Sequence, residues 1–143
     1  MKCRVIIDET HKEEVIIYAH KRDEFVEQLE NMIEGKNKTL IGYLRDEIVT
    51  LDTNNVFCFT VENGKLYAIC EKDKYLLKTR LYAIEETLDK NFIKINQSSI
   101  VNVNKISKFD ASIGGALKVI LKNGYVDYVS RRNTKNIKER LGL

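Results

Sequence analysis

The feature that most limits what this chain can become is a change of period at Leu40, after which apolar residues recur at every second position in short runs. VFCFTV (Val56–Val61) and KLYAIC (Lys65–Cys70) flank Asn63-Gly64. Asn-Gly is the dipeptide best able to take positive φ at both turn positions, so this arrangement predicts a tight antiparallel hairpin. A second pair, Asn123-Gly124, stands between Ala116–Leu121 and Tyr125–Val129, with Gly114-Gly115 as the preceding turn. Leu40–Leu44, Glu47–Leu51 and Lys74–Lys78 are further strand candidates, and no proline occurs anywhere in the 143 residues to break a ladder. Two helices punctuate this region. Leu81, Ile84 and Leu88 share a face of LYAIEETL, and SRRNTKNIKERLG has Ser130 as N-cap, Ile137 and Leu141 on one face and Gly142 as stop. The fold class is α+β, mostly β.

Before Leu40 the pattern differs. Lys2–Ile7 and Val15–Tyr18 read as strands, followed by a helix in DEFVEQLENMIEG with Phe25, Leu29, Met32 and Ile33 at helical spacing, acids in the first turn and Gly35 as stop. The chain therefore divides into an N-terminal βα segment, residues 1–42, and a β-rich domain, residues 43–143. The segment is read as a dimerisation or regulatory element. For the apolar helix face itself, packing on the domain's own sheet is the preferred expectation over a dimerisation or partner contact.

Several function classes fit poorly. Cys3, Cys58 and Cys70 are odd in number and form no CxxC pair, which argues against a disulfide framework or a zinc site. There is no GxSxG elbow, HExxH helix or GxxxxGK[ST] loop, and the two histidines, His11 and His20, have no ligand-like or catalytic neighbours. The expectation is a non-enzyme with no metal, cofactor or small-molecule substrate. No apolar run approaches the ~20 residues that cross a bilayer, and the N-terminus lacks a signal-peptide core, so the expected location is cytoplasmic.

Charge is unevenly placed. From Phe92 onward there are ten Lys/Arg against three acids, a net +7, while the rest of the chain has 14 against 18, a net −4. A basic region of this kind suggests a polyanionic partner. Within it lie two polar clusters. The first interrupts the β-branched stretch FIKINQSSIVNVNKI (Phe92–Ile106) with Asn96-Gln97-Ser98-Ser99, read as a loop between strands Phe92–Ile95 and Ile100–Val103. On composition alone a polar turn accounts for it. Asn and Gln can also bond adenine edges in two places and Ser can reach bases or phosphates, with Lys94 before the cluster and Lys105 after it for phosphate. The second cluster, Ser130-Arg131-Arg132-Asn133, opens a helix, where free backbone N–H groups favour an anion.

Phe92, Lys94, Ser98, Val101, Asn102, Ile106, Asn123, Gly124, Ser130 and Arg132 together resemble the pattern of LytTR DNA-binding domains, and the likeness covers roughly the last 95–100 residues. The resemblance implies an elongated, mostly β fold rather than a helix-turn-helix, with loops entering successive major grooves and bending double-stranded DNA. It places DNA contacts at Asn96, Gln97 and Ser98 with Lys94, at Ser130, Arg131, Arg132, Asn133 and Lys135, and at the turn holding Asn63 and Lys65. Many members carry His in place of Asn96 and Arg in place of Lys94. Asn102 falls on a position expected to bond core backbone. The implied function is a transcriptional regulator of the kind that lacks a receiver domain, acting as a homodimer on repeated sites, with an integral membrane protein as a possible regulatory partner. The rival class is a non-DNA interaction module, RNA-binding or an adaptor to an acidic or membrane partner. RNA readers stack bases on exposed aromatics, and the aromatics here fall mostly on strand positions that a core would claim.

Overall fold

A computed structural model describes residues 2–34 and 39–143, the side chains at 112 and 113 excepted. The β-rich region forms two antiparallel sheets. The larger contains β1 (Leu40–Leu44), β2 (Glu47–Leu51), β3 (Cys58–Glu62), β4 (Lys65–Ile69), β5 (Lys74–Leu77), β6 (Phe92–Asn96) and β7 (Ser99–Asn102). Its spatial order is β2-β1-β5-β4-β3-β7-β6. The smaller contains β8 (Ile106–Ile113), β9 (Ala116–Leu121) and β10 (Val126–Val129), in the order β10-β9-β8.

The central strands are buried on both faces, which explains why their sequences are continuous apolar runs rather than clean alternations. Phe59, Ile100 and Phe92 point to one side, into a core closed by helix α2 (Leu81–Glu85) through Leu81 and Ile84. Cys58, Val101, Ile93 and Ile95 point to the other, where they meet Leu117, Val119, Leu121 and Val129 of the small sheet and Ile137 of helix α3 (Arg131–Leu141). The molecule is thus layered as a short helix, a large sheet, then a small sheet with its C-terminal helix. Asn63 (φ 50°) and Gly64 (φ 75°) both take positive φ, as the hairpin of β3 and β4 requires. The second Asn-Gly pair works differently. Only Gly124 is left-handed (φ 87°), and the Asn123 side chain ties the loop down by donating to Cys70 O (2.9 Å) and accepting from Tyr125 N (3.0 Å).

The one-turn helix Val103–Lys105 depends on Asn102, which is 2 % exposed. Its Oδ1 accepts from Asn104 N (3.0 Å) and its Nδ2 donates to Val56 O (3.0 Å), so the amide bonds backbone within the core.

The structure departs from the sequence reading in three places. Lys2–Ile7 and Val15–Tyr18 are not strands. Their β-branched composition favours a ladder, but a strand exists only where a partner supplies one, and Val5, Ile7, Ile16 and Tyr18 stay exposed. Helix α1 (Glu24–Ile33) does form, capped by Asp23, which accepts from Val26 N (3.0 Å). Its apolar face does not pack on the sheet, however: no α1 residue is fully buried, and Phe25, Met32 and Ile33 are exposed. Gly35, the expected stop, lies outside the described residues. Finally, β8 forms over a stretch with no regular strand period. Bulges between Ile106 and Lys108 and between Asp110 and Ile113 shift its register, and the first puts Ile106 and Phe109 against the same core despite an odd spacing.

Candidate nucleic-acid interface

Strand register decides where the polar clusters sit. Thr60 pairs with Ser99 across β3 and β7, and Val61 N donates to Ser98 O (2.9 Å), so the Asn63-Gly64 turn and the β6–β7 turn share one end of the large sheet. Ser130 N donates to Ile95 O (2.8 Å), which fixes the start of α3 beside the same end of β6. Segments read separately from the sequence therefore converge.

The β6–β7 connection is only two residues long. Asn96 pairs with Ser99, leaving Gln97 and Ser98 exposed at the tip. A shallow groove of about 360 Å³ runs from this tip to the helix start and is lined by Lys94, Gln97, Ser130, Arg132 and Asn133. Arg131 and Arg132 are exposed and make no ion pair among the described residues. Ser130 is the N-cap by position, but its hydroxyl accepts from Asn133 Nδ2 (2.9 Å) and caps no backbone N–H. The N–H groups of Arg131 and Arg132, at the positive end of α3, consequently have no side-chain cap, while Asn133 N donates to Ser130 O (3.0 Å). Lys94 makes only a loose ion pair with Glu85 (3.5 Å), and Lys135 one with Glu139 (4.0 Å). Such exposed pairs hold a cation weakly and leave it available to phosphate. Lys65 is exposed beside the Asn63-Gly64 turn, opposite Glu62, whose carboxylate is engaged by Lys74.

Three residues are placed otherwise than the sequence suggested. Ser99 is not in the loop: it is 1 % exposed, at the start of β7. Asn96 is spent on the scaffold, its Nδ2 donating to Asp127 Oδ1 (3.1 Å) and Tyr128 O (2.8 Å) and its Oδ1 accepting from Ser98 N (2.9 Å). Lys105 lies at the opposite end of β7, with its ammonium over the Phe57 ring (5.1 Å). Sequence reading overlooked Asp127, the acid to which Asn96 and Ser99 are tied. The one available signal was an aspartate inside the strand YVDYV, where Asp is a poor strand former.

The LytTr DNA-binding domain model matches residues 46–142. The chain belongs to the LytTR family. A Staphylococcus aureus (strain N315) protein named as an uncharacterized HTH-type transcriptional regulator is 36 % identical over 146 residues, covering 100 % of this chain and 99 % of that one. A protein of the same description from strain MSSA476 is equally similar, again at 36 % over 146 residues. Among solved structures, a LytTr DNA-binding domain from Bacillus cereus superposes with a TM-score of 0.69 at 24 % identity, covering 74 % of this chain and 99 % of that domain. This LytTR protein thus has the family's mostly β fold. No two consecutive elements among its described residues are α-helices, so the "HTH" in the relatives' names finds no helix-turn-helix here. Also among the described residues, no helix is long and apolar enough to cross a membrane.

Proposed function

We propose that this protein is a transcriptional regulator that reads double-stranded DNA with the end of the sheet carrying the Gln97–Ser98 tip and the start of α3. The observation that carries the reading is the groove itself. Lys94, Gln97, Ser130, Arg132 and Asn133 come from two segments some 30 residues apart in sequence, yet line one surface. In this reading Gln97 and Ser98 meet base edges in one major groove. Arg132 reads a guanine O6/N7 pair in another. Lys94, Arg131, Lys135 and the free N–H groups of α3 hold phosphates. Asn63 and Lys65 touch the backbone from the neighbouring turn. Asn96 sets the shape of the tip and contacts no base.

Exposed apolar side chains on residues 2–34, including Val5, Ile7, Phe25 and Met32, support assignment of the N-terminal segment to protein contacts, within a homodimer on repeated sites or with a membrane-bound partner.

The test is fluorescence anisotropy with a duplex selected from a random library, a scrambled duplex and a single-stranded RNA. Affinity for the selected duplex should fall on the order of a hundredfold or more between 50 and 200 mM salt if about six phosphates are engaged. Arg132→Ala and Gln97→Ala should each cost about 1–3 kcal/mol and relax preference at different base pairs, while shifting thermal stability by no more than about 0.5 kcal/mol. Salt-insensitive binding, preference for RNA, or variants that bind like the parent refute the reading.

A further inference from the structure

A chain of polar contacts links β3, β7, β10 and β6 behind the proposed reading surface. Thr60 on β3 is 4 % exposed and Ser99 on β7 is 1 % exposed, and their hydroxyls lie 2.8 Å apart. Ser99 Oγ donates to Asp127 Oδ2 on β10 (2.6 Å). Asp127 Oδ1 accepts from Asn96 Nδ2 on β6 (3.1 Å) and from Tyr128 N (2.7 Å). Asn96 Oδ1 in turn accepts from Ser98 N at the tip (2.9 Å). A carboxylate can only accept, so the single proton of Ser99 is committed to Asp127 and the Thr60 hydroxyl must be the donor to Ser99. The proton order along the chain is therefore fixed.

Two features make this more than core satisfaction. Asp127 is the one side chain in this set that comes from the small sheet, since β10 belongs to that sheet and β3, β6 and β7 to the large one, and its two oxygens add to the bond that Asn96 Nδ2 makes to Tyr128 O (2.8 Å). It also lies three residues before Ser130, where α3 and its arginines begin. Beside the backbone bond from Ser130 N to Ile95 O, this carboxylate is therefore the side chain that ties both Asn96 and Ser99, at the base of the Gln97–Ser98 tip, to the strand leading into α3. Glu62, Glu85 and Glu139 pair with lysines, whereas Asp127 makes no ion pair among the described residues, so its negative charge opposes phosphate. A feature that opposes non-specific attraction while fixing the spacing of two reading elements favours discrimination over raw affinity.

We propose that Asp127 is a positioning residue that sets sequence discrimination by holding the tip and the α3 start in register through Asn96 and Ser99. The proposal rests on the DNA-reading function above. It makes a prediction that a merely structural role does not: cutting the link should lower affinity for the selected duplex while leaving affinity for scrambled duplex unchanged or raised, because a repelling charge is gone. Loss of one well-read base pair corresponds to about a tenfold or greater fall in the ratio of the two affinities. Asp127→Ala should produce that fall. Asp127→Asn should keep the ratio close to the parent's. Its amide oxygen still accepts from Asn96 and Tyr128, and its amide nitrogen donates to Ser99, which can then donate to Thr60 with the proton order reversed.

The experiment measures both affinities and the melting temperature of each variant, on the selected and the scrambled duplex of equal length. An unchanged ratio in Asp127→Ala overturns the proposal. So does equal damage from Asn and Ala, which would make the charge and not the register responsible, and so does parallel loss of both affinities. Should Asp127→Ala fail to fold, Asp127→Ser takes its place, because its hydroxyl is too short to span Asn96 and Ser99 together, and the same outcomes decide. Failure of the DNA-reading function is distinguishable, since the parent protein would then show no difference between the two duplexes.

Discussion

Asn102→Ala separates the scaffold from the reading surface, and its cost can be worked from the contacts. The alanine loses the bond to Val56 O and the bond from Asn104 N. The two losses are unequal. Val56 is fully buried, so its carbonyl is left without water, at about 1–3 kcal/mol. Asn104 is exposed, so its N–H recovers a solvent partner and the loss there is that of a cap, about 1 kcal/mol. The total is about 2–4 kcal/mol. For a chain of this length each kcal/mol corresponds to roughly 3–5 °C, so the melting temperature should drop on the order of 10 °C. Binding at 25 °C should fall only as far as the folded fraction falls. Calorimetric melting and anisotropy on the same preparation measure both. A shift under about 2 °C would show that water replaces the amide and that burial has been misjudged. Lost binding with unchanged melting would make Asn102 a DNA contact and refute the argument outright.

Gly42→Ala should destabilise, because a Cβ there would stand 2.8 Å from Leu51 Cδ1 and 2.9 Å from Tyr75 Cβ. A loss of about 1–3 kcal/mol in urea unfolding is expected from such overpacking, and an unchanged midpoint would mean that Leu51 simply moves. Burial pushes the Tyr125 phenol up to about 12. Between pH 10 and 12 the unfolded chain therefore loses a proton that the folded one keeps, so stability falls as pH rises through that window. Tyr125→Phe should flatten that part of the fall in a pH series of melts. For the homodimer reading, sedimentation of a complex with the selected duplex should give two chains per site, and one chain at saturation would count against it.

Much of the fold could be read because turn chemistry and hydrophobic period agree. Asn63-Gly64 supplies both positive-φ positions, so β3 and β4 fall where VFCFTV and KLYAIC suggest. The strand β8 was hidden for a definite reason, since a bulge inserts a residue and breaks the period on which strand reading depends. Lys2–Ile7 and Val15–Tyr18 show the opposite error. Propensity was present and a partner was not, and pairing is a tertiary fact that no local run contains. The candidate site divides in the same way. Gln97, Arg132 and Asn133 were legible as polar groups outside any core pattern. The commitment of Asn96 and Ser99 was not, because their acceptor, Asp127, is about 30 residues away. Whether a buried amide is free or satisfied depends on such distant partners.

Only two contacts between strands in the large sheet join segments far apart in the chain, β1 with β5 and β3 with β7; every other neighbouring pair is a hairpin or close to one. That has a consequence for the order of assembly. During synthesis β1 to β5 can gather early, but the middle of the sheet lacks a neighbour on one side of β3 until Ser99–Asn102 has emerged. Closing that loop carries an entropic cost that the local hairpins do not. The tip at Gln97 forms with β7, and the start of α3 is held only after β10 has delivered Ser130 to Ile95. Competence to engage a partner at this end is therefore among the last things the chain acquires, and a nascent or partly unfolded copy has a sheet before it has a surface to read with.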